Sequence, residues 1–141
     1  MRRLLPALLL AAGIAGAGPA IAAGPACPST DLDAFLKAFI DDVALQRAFT
    51  AQPLRDQSVD NTAMPEPRPV TQMLSGAALH FPVMPTRSER ATLGLEARWL
   101  ERGERQAVFR LVKEDTDLQL TYVFRRGQDC WQLVERQDDS L

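Results

Sequence analysis

One histidine and two cysteines are all the imidazole and thiol that 141 residues carry. A lone His80 cannot build a paired or clustered imidazole metal centre, and HExxH is absent. Two cysteines at positions 27 and 130 form no CxxC redox motif and leave no further pair for zinc. None of Ser29, Ser58, Ser75, Ser88 and Ser140 stands in GxSxG, and neither GxxxxGK[ST] nor GxGxxG occurs. The acidic pairs Asp41-Asp42 and Asp138-Asp139 are chain neighbours. Glycoside chemistry needs two carboxylates held across a substrate. This inventory assigns no catalytic residue, no metal and no cofactor.

Cationic charge is also short, with 16 Lys and Arg against 18 Asp and Glu. Nucleic acid rewards clustered cations through counterion release, so it is excluded as a partner, and attraction to an anionic membrane surface loses its basis.

What is present begins with an export signal. Met1-Arg2-Arg3 gives a positive start, Leu4 to Ala15 an apolar stretch broken by Pro6 and Gly13, and Gly16 to Ala23 a tail of small residues. Cleavage is expected between Ala22 and Ala23, because Ala20 and Ala22 supply the small side chains that signal peptidase requires. The apolar run is shorter than the roughly 20 residues that span a bilayer, so no transmembrane segment is expected after cleavage. Residues 1–22 are therefore read as a signal peptide and 23–141 as a single exported domain, periplasmic or secreted. Arg2 and Arg3 leave with the signal, and 14 basic residues then face 18 acidic ones.

Cys27 and Cys130 are an even pair in an oxidising compartment and are expected to join as a disulfide. Closing a loop of about 100 residues is worth about 4.7 kcal/mol in the chain-entropy account. The alternative is a lipid anchor on Cys27, against which stand Pro25 and Gly24 in the preceding segment and the early end of the apolar run.

Apolar residues at Leu32, Phe35, Leu36, Phe39, Ile40 and Val43 have helical period, behind a Ser29-Thr30-Asp31 cap, with a break or bend at Asp41-Asp42. Pro53, Pro65, Pro67 and Pro69 predict an irregular Pro-rich loop over about 53–70, with at most a short edge strand around Leu54 to Val59. Val70 to Leu74 reads as a helical turn and Ala77 to Met84 as an edge strand. Thr86 or Ser88 caps one more turn through Leu93, with Glu89 in its first turn. Alternation then takes over: Leu95, Ala97 and Trp99; Ala107, Phe109 and Leu111; Leu118, Leu120, Tyr122 and Phe124; and a last strand from Cys130 to Arg136. Polar spacers between them suit tight turns. The expected fold class is α+β: an N-terminal amphipathic helix or helices packed on a curved antiparallel sheet, with a C-terminal four-strand meander.

The helix carrying Phe35, Phe39, Gln46 and Phe49, the Pro53-Leu54 step, and the closing Tyr122, Phe124, Cys130, Trp131 and Leu133 together resemble small exported bacterial domains of unknown function. Those are similar in outline to the nuclear-transport-factor-2-like, or cystatin-like, α+β cone. The resemblance spans most of residues 23–141, but its motifs are core and turn residues. It implies a curved sheet wrapped on helices, with a mouth that often holds a ligand. Enzymes of that superfamily use an inward Asp, Tyr or His, which makes Tyr122 a pocket candidate. His80 is a second candidate, since its pKa range suits a general base. Neither has a visible partner in the sequence.

The leading functional expectation is a non-enzymatic exported module that binds a protein or small-molecule ligand, of which an inhibitor or immunity-type protein is one form. A cone-fold isomerase or hydrolase with a small-molecule pocket is the alternative. An envelope structural or assembly factor is a third class.

Overall fold

The computed structural model describes Gly18 and residues 23–141; the rest of the expected signal segment lies outside the described residues. Helix α1, Leu32–Asp41, begins where the Asp31 side chain accepts from the Ala34 amide at 2.9 Å. Its stripe of Phe35, Leu36, Phe39 and Ile40 is buried. Asp42 is extended (φ −123°, ψ 106°) and ends the helix, and its carboxylate accepts from Ala44 and Leu45 to start α2, Val43–Ala48. One residue thus stops one helix and caps the next, which turns the chain toward the sheet.

Strands β1 (Thr50–Asp60) and β2 (Arg68–Leu74) form an antiparallel hairpin. A 3-10 turn at Gly76–Ala78 leads to helix α3, Arg87–Leu93. Thr86 and Glu89 make a reciprocal capping box at its start, and Gly94 ends it in the left-handed region (φ 69°), where a side chain would be strained. Strands β3 (Glu96–Arg102), β4 (Gln106–Val112), β5 (Gln119–Arg126) and β6 (Trp131–Asp138) pair consecutively and antiparallel. The sheet has six strands in the order β2-β1-β6-β5-β4-β3.

The sheet is mixed, which corrects the expectation of an all-antiparallel one: β1 and β6 run parallel. The cause is the connection from β2 to β3. It crosses from one sheet edge to the other through the 3-10 turn and α3, so the meander starts at the far edge and returns to lie beside β1.

The Pro-rich segment is likewise no irregular loop, because most of it is a long hairpin. Pro53 precedes the β1–β2 register, which opens at Leu54, and sits where the β1–β6 register shifts between Thr50 and Arg55. A missing amide donor costs no ladder bond at such a place. Pro69 stands on the edge strand β2, and Pro65 and Pro67 fall in the short connection. Val70 to Leu74 is strand rather than helical turn. Ala77 to Met84, expected as an edge strand, is the 3-10 turn followed by irregular chain. There Gln46 does the work of a partner strand. It is wholly buried; its Oε1 accepts from the Val83 and Met84 amides, and its Nε2 donates to the Ile40 and Met84 carbonyls.

The core lies between the helices and one face of the sheet. Phe35 and Phe39 stack at 5.5 Å, and Phe124 of β5 meets Phe39 edge-on at 5.5 Å and Phe35 at 6.1 Å. Burying each such ring is worth about 1.5–3 kcal/mol over leaving it exposed.

Candidate functional site

Cys27 and Cys130 are joined in a disulfide with Cα atoms 5.7 Å apart, and no free cysteine remains. The bond ties the leader of α1 to the start of β6, where Trp131 Nε1 also donates to the Thr30 carbonyl at 3.0 Å. His80 is exposed on the irregular chain beyond the 3-10 turn and makes no ion pair among the described residues. Tyr122 lies on β5 and is 1% exposed. The charges that act on Tyr122 are those of Arg136, Asp138, Arg90 and Asp56.

Strand register explains this company. Trp99 of β3 stands opposite Phe109 of β4, Phe109 opposite Tyr122 of β5, and Tyr122 opposite Arg136 of β6. Arg136 stands opposite Asp56 of β1, and Asp56 opposite Gln72 of β2. These six residues form one transverse row on the helix-facing side of the sheet. Its β3–β5 half is aromatic, and its β6–β2 half is polar. Arg136 Nε lies 2.6 Å from Asp56 Oδ1, so the central charges neutralise one another. Burial, partly offset by Arg136, pushes the Tyr122 phenol well above its ordinary value. It stays protonated at physiological pH and is closed off from solvent.

A shallow groove of about 250 Å³ opens beside the aromatic half. Leu36 and Ile40 of α1 supply one wall, and Trp99 and Phe109 the floor, their rings 5.2 Å apart and edge-on. Lys37 and Arg90 bring positive charge. The Arg90 guanidinium lies over the Phe109 ring, 5.7 Å from its centroid. Its Nε is buried and has no hydrogen-bond partner among the described residues. Two other charges at the groove are already matched, Arg87 by Asp41 and Asp33 by Arg102.

A solved NTF2-like protein from Bacteroides fragilis is similar in structure, with a TM-score of 0.51 at 17% identity over 79% of this chain. The fold is NTF2-like. The likeness takes in 47% of that protein, so this chain spans about half the length of the structure it matches. No family model matches the sequence. No curated protein is detectably similar to it.

Within this NTF2-like frame Tyr122 belongs to the buried core. Phe35, Phe39, Phe124 and Tyr122 are each at most 1% exposed, so the phenol is packed among core rings rather than open to solvent. Among the described residues no group of His, Cys, Asp and Glu side chains could hold a metal ion, and no helix is long and apolar enough to cross a membrane. What the arrangement offers chemically is an apolar recess bearing cations. Sequence reasoning passed over Arg90, Lys37, Asp56 and Arg136. For Arg90 a signal existed: it follows the Thr86 cap by one helical turn, on the face that α3 turns to the sheet.

Proposed function

We propose that the chain is an exported, non-enzymatic binding module that takes its ligand on the helix-facing side of the sheet, at the groove between α1, α3 and the β3–β4 pair. The observation that carries this reading is the contrast between Tyr122, which is packed away from solvent, and an open groove at which Lys37 and Arg90 make no ion pair among the described residues. The disulfide supports an oxidising compartment, periplasmic or extracellular. An inhibitor or immunity-type protein is one form such a module takes. An isomerase or hydrolase built on Tyr122 finds less support, because the phenol is buried and held protonated.

The test pairs binding with export. Protein recovered from outside the cytoplasm should begin at Ala23. Its amide resonances should shift under a small-molecule library in α1, α3, β3 and β4, leaving β2 unmoved. An isomerase or hydrolase activity abolished by Tyr122→Phe would replace this reading with the enzymatic one.

A further inference from the structure

We propose that the groove is a site for a small amphiphile with a single carboxylate head, gripped by the guanidinium of Arg90 while an aryl or alkyl body lies along Ala97 and Trp99. The inference rests on the binding reading above and names its ligand class.

Three observations carry it. First, Arg90 is charged and half-buried, yet among the described residues nothing accepts a hydrogen bond from its guanidinium, and its Nε is an orphaned buried donor. Native structures leave few such donors, and those that remain call for an unseen partner. Second, the acid whose charge acts on Arg90 is Asp41, and Asp41 is occupied by both the backbone amide and the guanidinium of Arg87. Protein carboxylates thus leave Arg90 open. Lys37, on the same groove, also makes no ion pair among the described residues. Third, the other charged lining residues, Asp33 and Arg87, are already paired with Arg102 and Asp41, the remainder of the lining is apolar and aromatic, and a volume of about 250 Å³ falls below the roughly 300–1,000 Å³ of drug-sized sites.

Charge and shape then select the head group. A planar guanidinium offers parallel donors that match the two oxygens of a carboxylate. One Arg with one rim Lys suits a monoanion. The Phe109 face beneath the guanidinium holds it in place, so less freedom is lost on binding.

The experiment follows the Arg90 Nε–Hε resonance of ¹⁵N-labelled protein, disulfide intact, during titration with 3-phenylpropionate, 3-phenylpropionamide and phenyl phosphate. The carboxylate should move that resonance saturably, and the isosteric amide should bind at least about tenfold more weakly, as expected for a lost charge-assisted pair. Arg90→Gln should lose about tenfold or more for the carboxylate, and Arg90→Lys most of that, since the charge remains but the fork is gone. Lys37→Gln, an exposed change that leaves packing intact, should weaken the carboxylate by about two- to fivefold and the amide not at all. Equal affinity for acid and amide overturns the carboxylate assignment while sparing the groove as a binding site. Tighter binding of phenyl phosphate overturns it in favour of a dianion. Failure of all three probes to shift any resonance in α1, α3 or β4 overturns both this inference and the reading beneath it.

Discussion

Arg136 and Asp56 meet across the parallel β1–β6 join, with Arg136 Nε 2.6 Å from Asp56 Oδ1 and both side chains largely covered, 27% and 17% exposed. The pair lies in the same transverse row as Tyr122, where the sheet changes from aromatic to polar. Removing one partner strands the other charge. Arg136→Ala should cost about 1–3 kcal/mol in urea unfolding, and Asp56→Ala a similar amount. The double variant Asp56→Leu/Arg136→Met should recover much of either loss, because the desolvation of both charges disappears together. Additive losses would show that the two residues do not act as a pair.

Gln46 ties α2 to the irregular chain at Val83 and Met84, which has no strand partner of its own. Gln46→Leu keeps the volume but leaves buried amides and carbonyls without partners. It should cost about 2–4 kcal/mol and speed hydrogen exchange at the Val83 amide selectively. Uniform acceleration across α1 and the sheet would instead mean that the side chain matters mainly as packing.

Some of this architecture is visible before folding. The 3.6-residue spacing from Leu32 to Ile40 gives the buried stripe of α1 and the alternation Leu120, Tyr122, Phe124 the core face of β5, so both patterns can be read directly. The row around Tyr122 cannot, and the reason is a bulge. Trp131 and Leu133 face the core, but Val134 is an extra residue, since Phe124 pairs with Leu133 and Val123 with Glu135. The insertion reverses the parity of β6, so that Arg136 inherits a face that continued alternation would have assigned to Glu135. Asp56 was hidden differently. Pro53, Pro65, Pro67 and Pro69 obscured β1 and β2, since a sequence does not reveal that these prolines fall at a register shift, in a turn and on a sheet edge.

The Cys27–Cys130 bond closes 103 positions and anchors the short leader of α1. Reduction, or the double change Cys27→Ser/Cys130→Ser, should lower stability by about 3–5 kcal/mol without changing the sheet, as read by urea unfolding and far-ultraviolet circular dichroism. Because Trp131 Nε1 donates to Thr30 next to this tether, its fluorescence should report the release of the leader. A loss under about 1 kcal/mol would place the leader's anchorage in the Trp131 contact rather than in the chain constraint.

Asp41 links α1 to the start of α3. Its carboxyl is held below the ordinary 3.8 first by the Arg87 backbone amide, which donates to Oδ1 at 2.9 Å, and then by the Arg87 guanidinium. A carboxyl whose folded value is depressed binds its proton more readily in the unfolded chain. Its stabilisation is therefore complete above about pH 3.8 and fades as pH falls through the lower folded value. Asp41→Asn retains a neutral oxygen for the Arg87 amide and removes only the charge. The variant should be less stable than the parent near neutral pH, and the two urea midpoints should converge as pH drops below that range. Asp41 is about a third exposed, so the gap should be small and should narrow further as salt rises toward about 1 M. A gap independent of both pH and salt would mean that the amide contact alone joins the helices, with the guanidinium contributing nothing measurable.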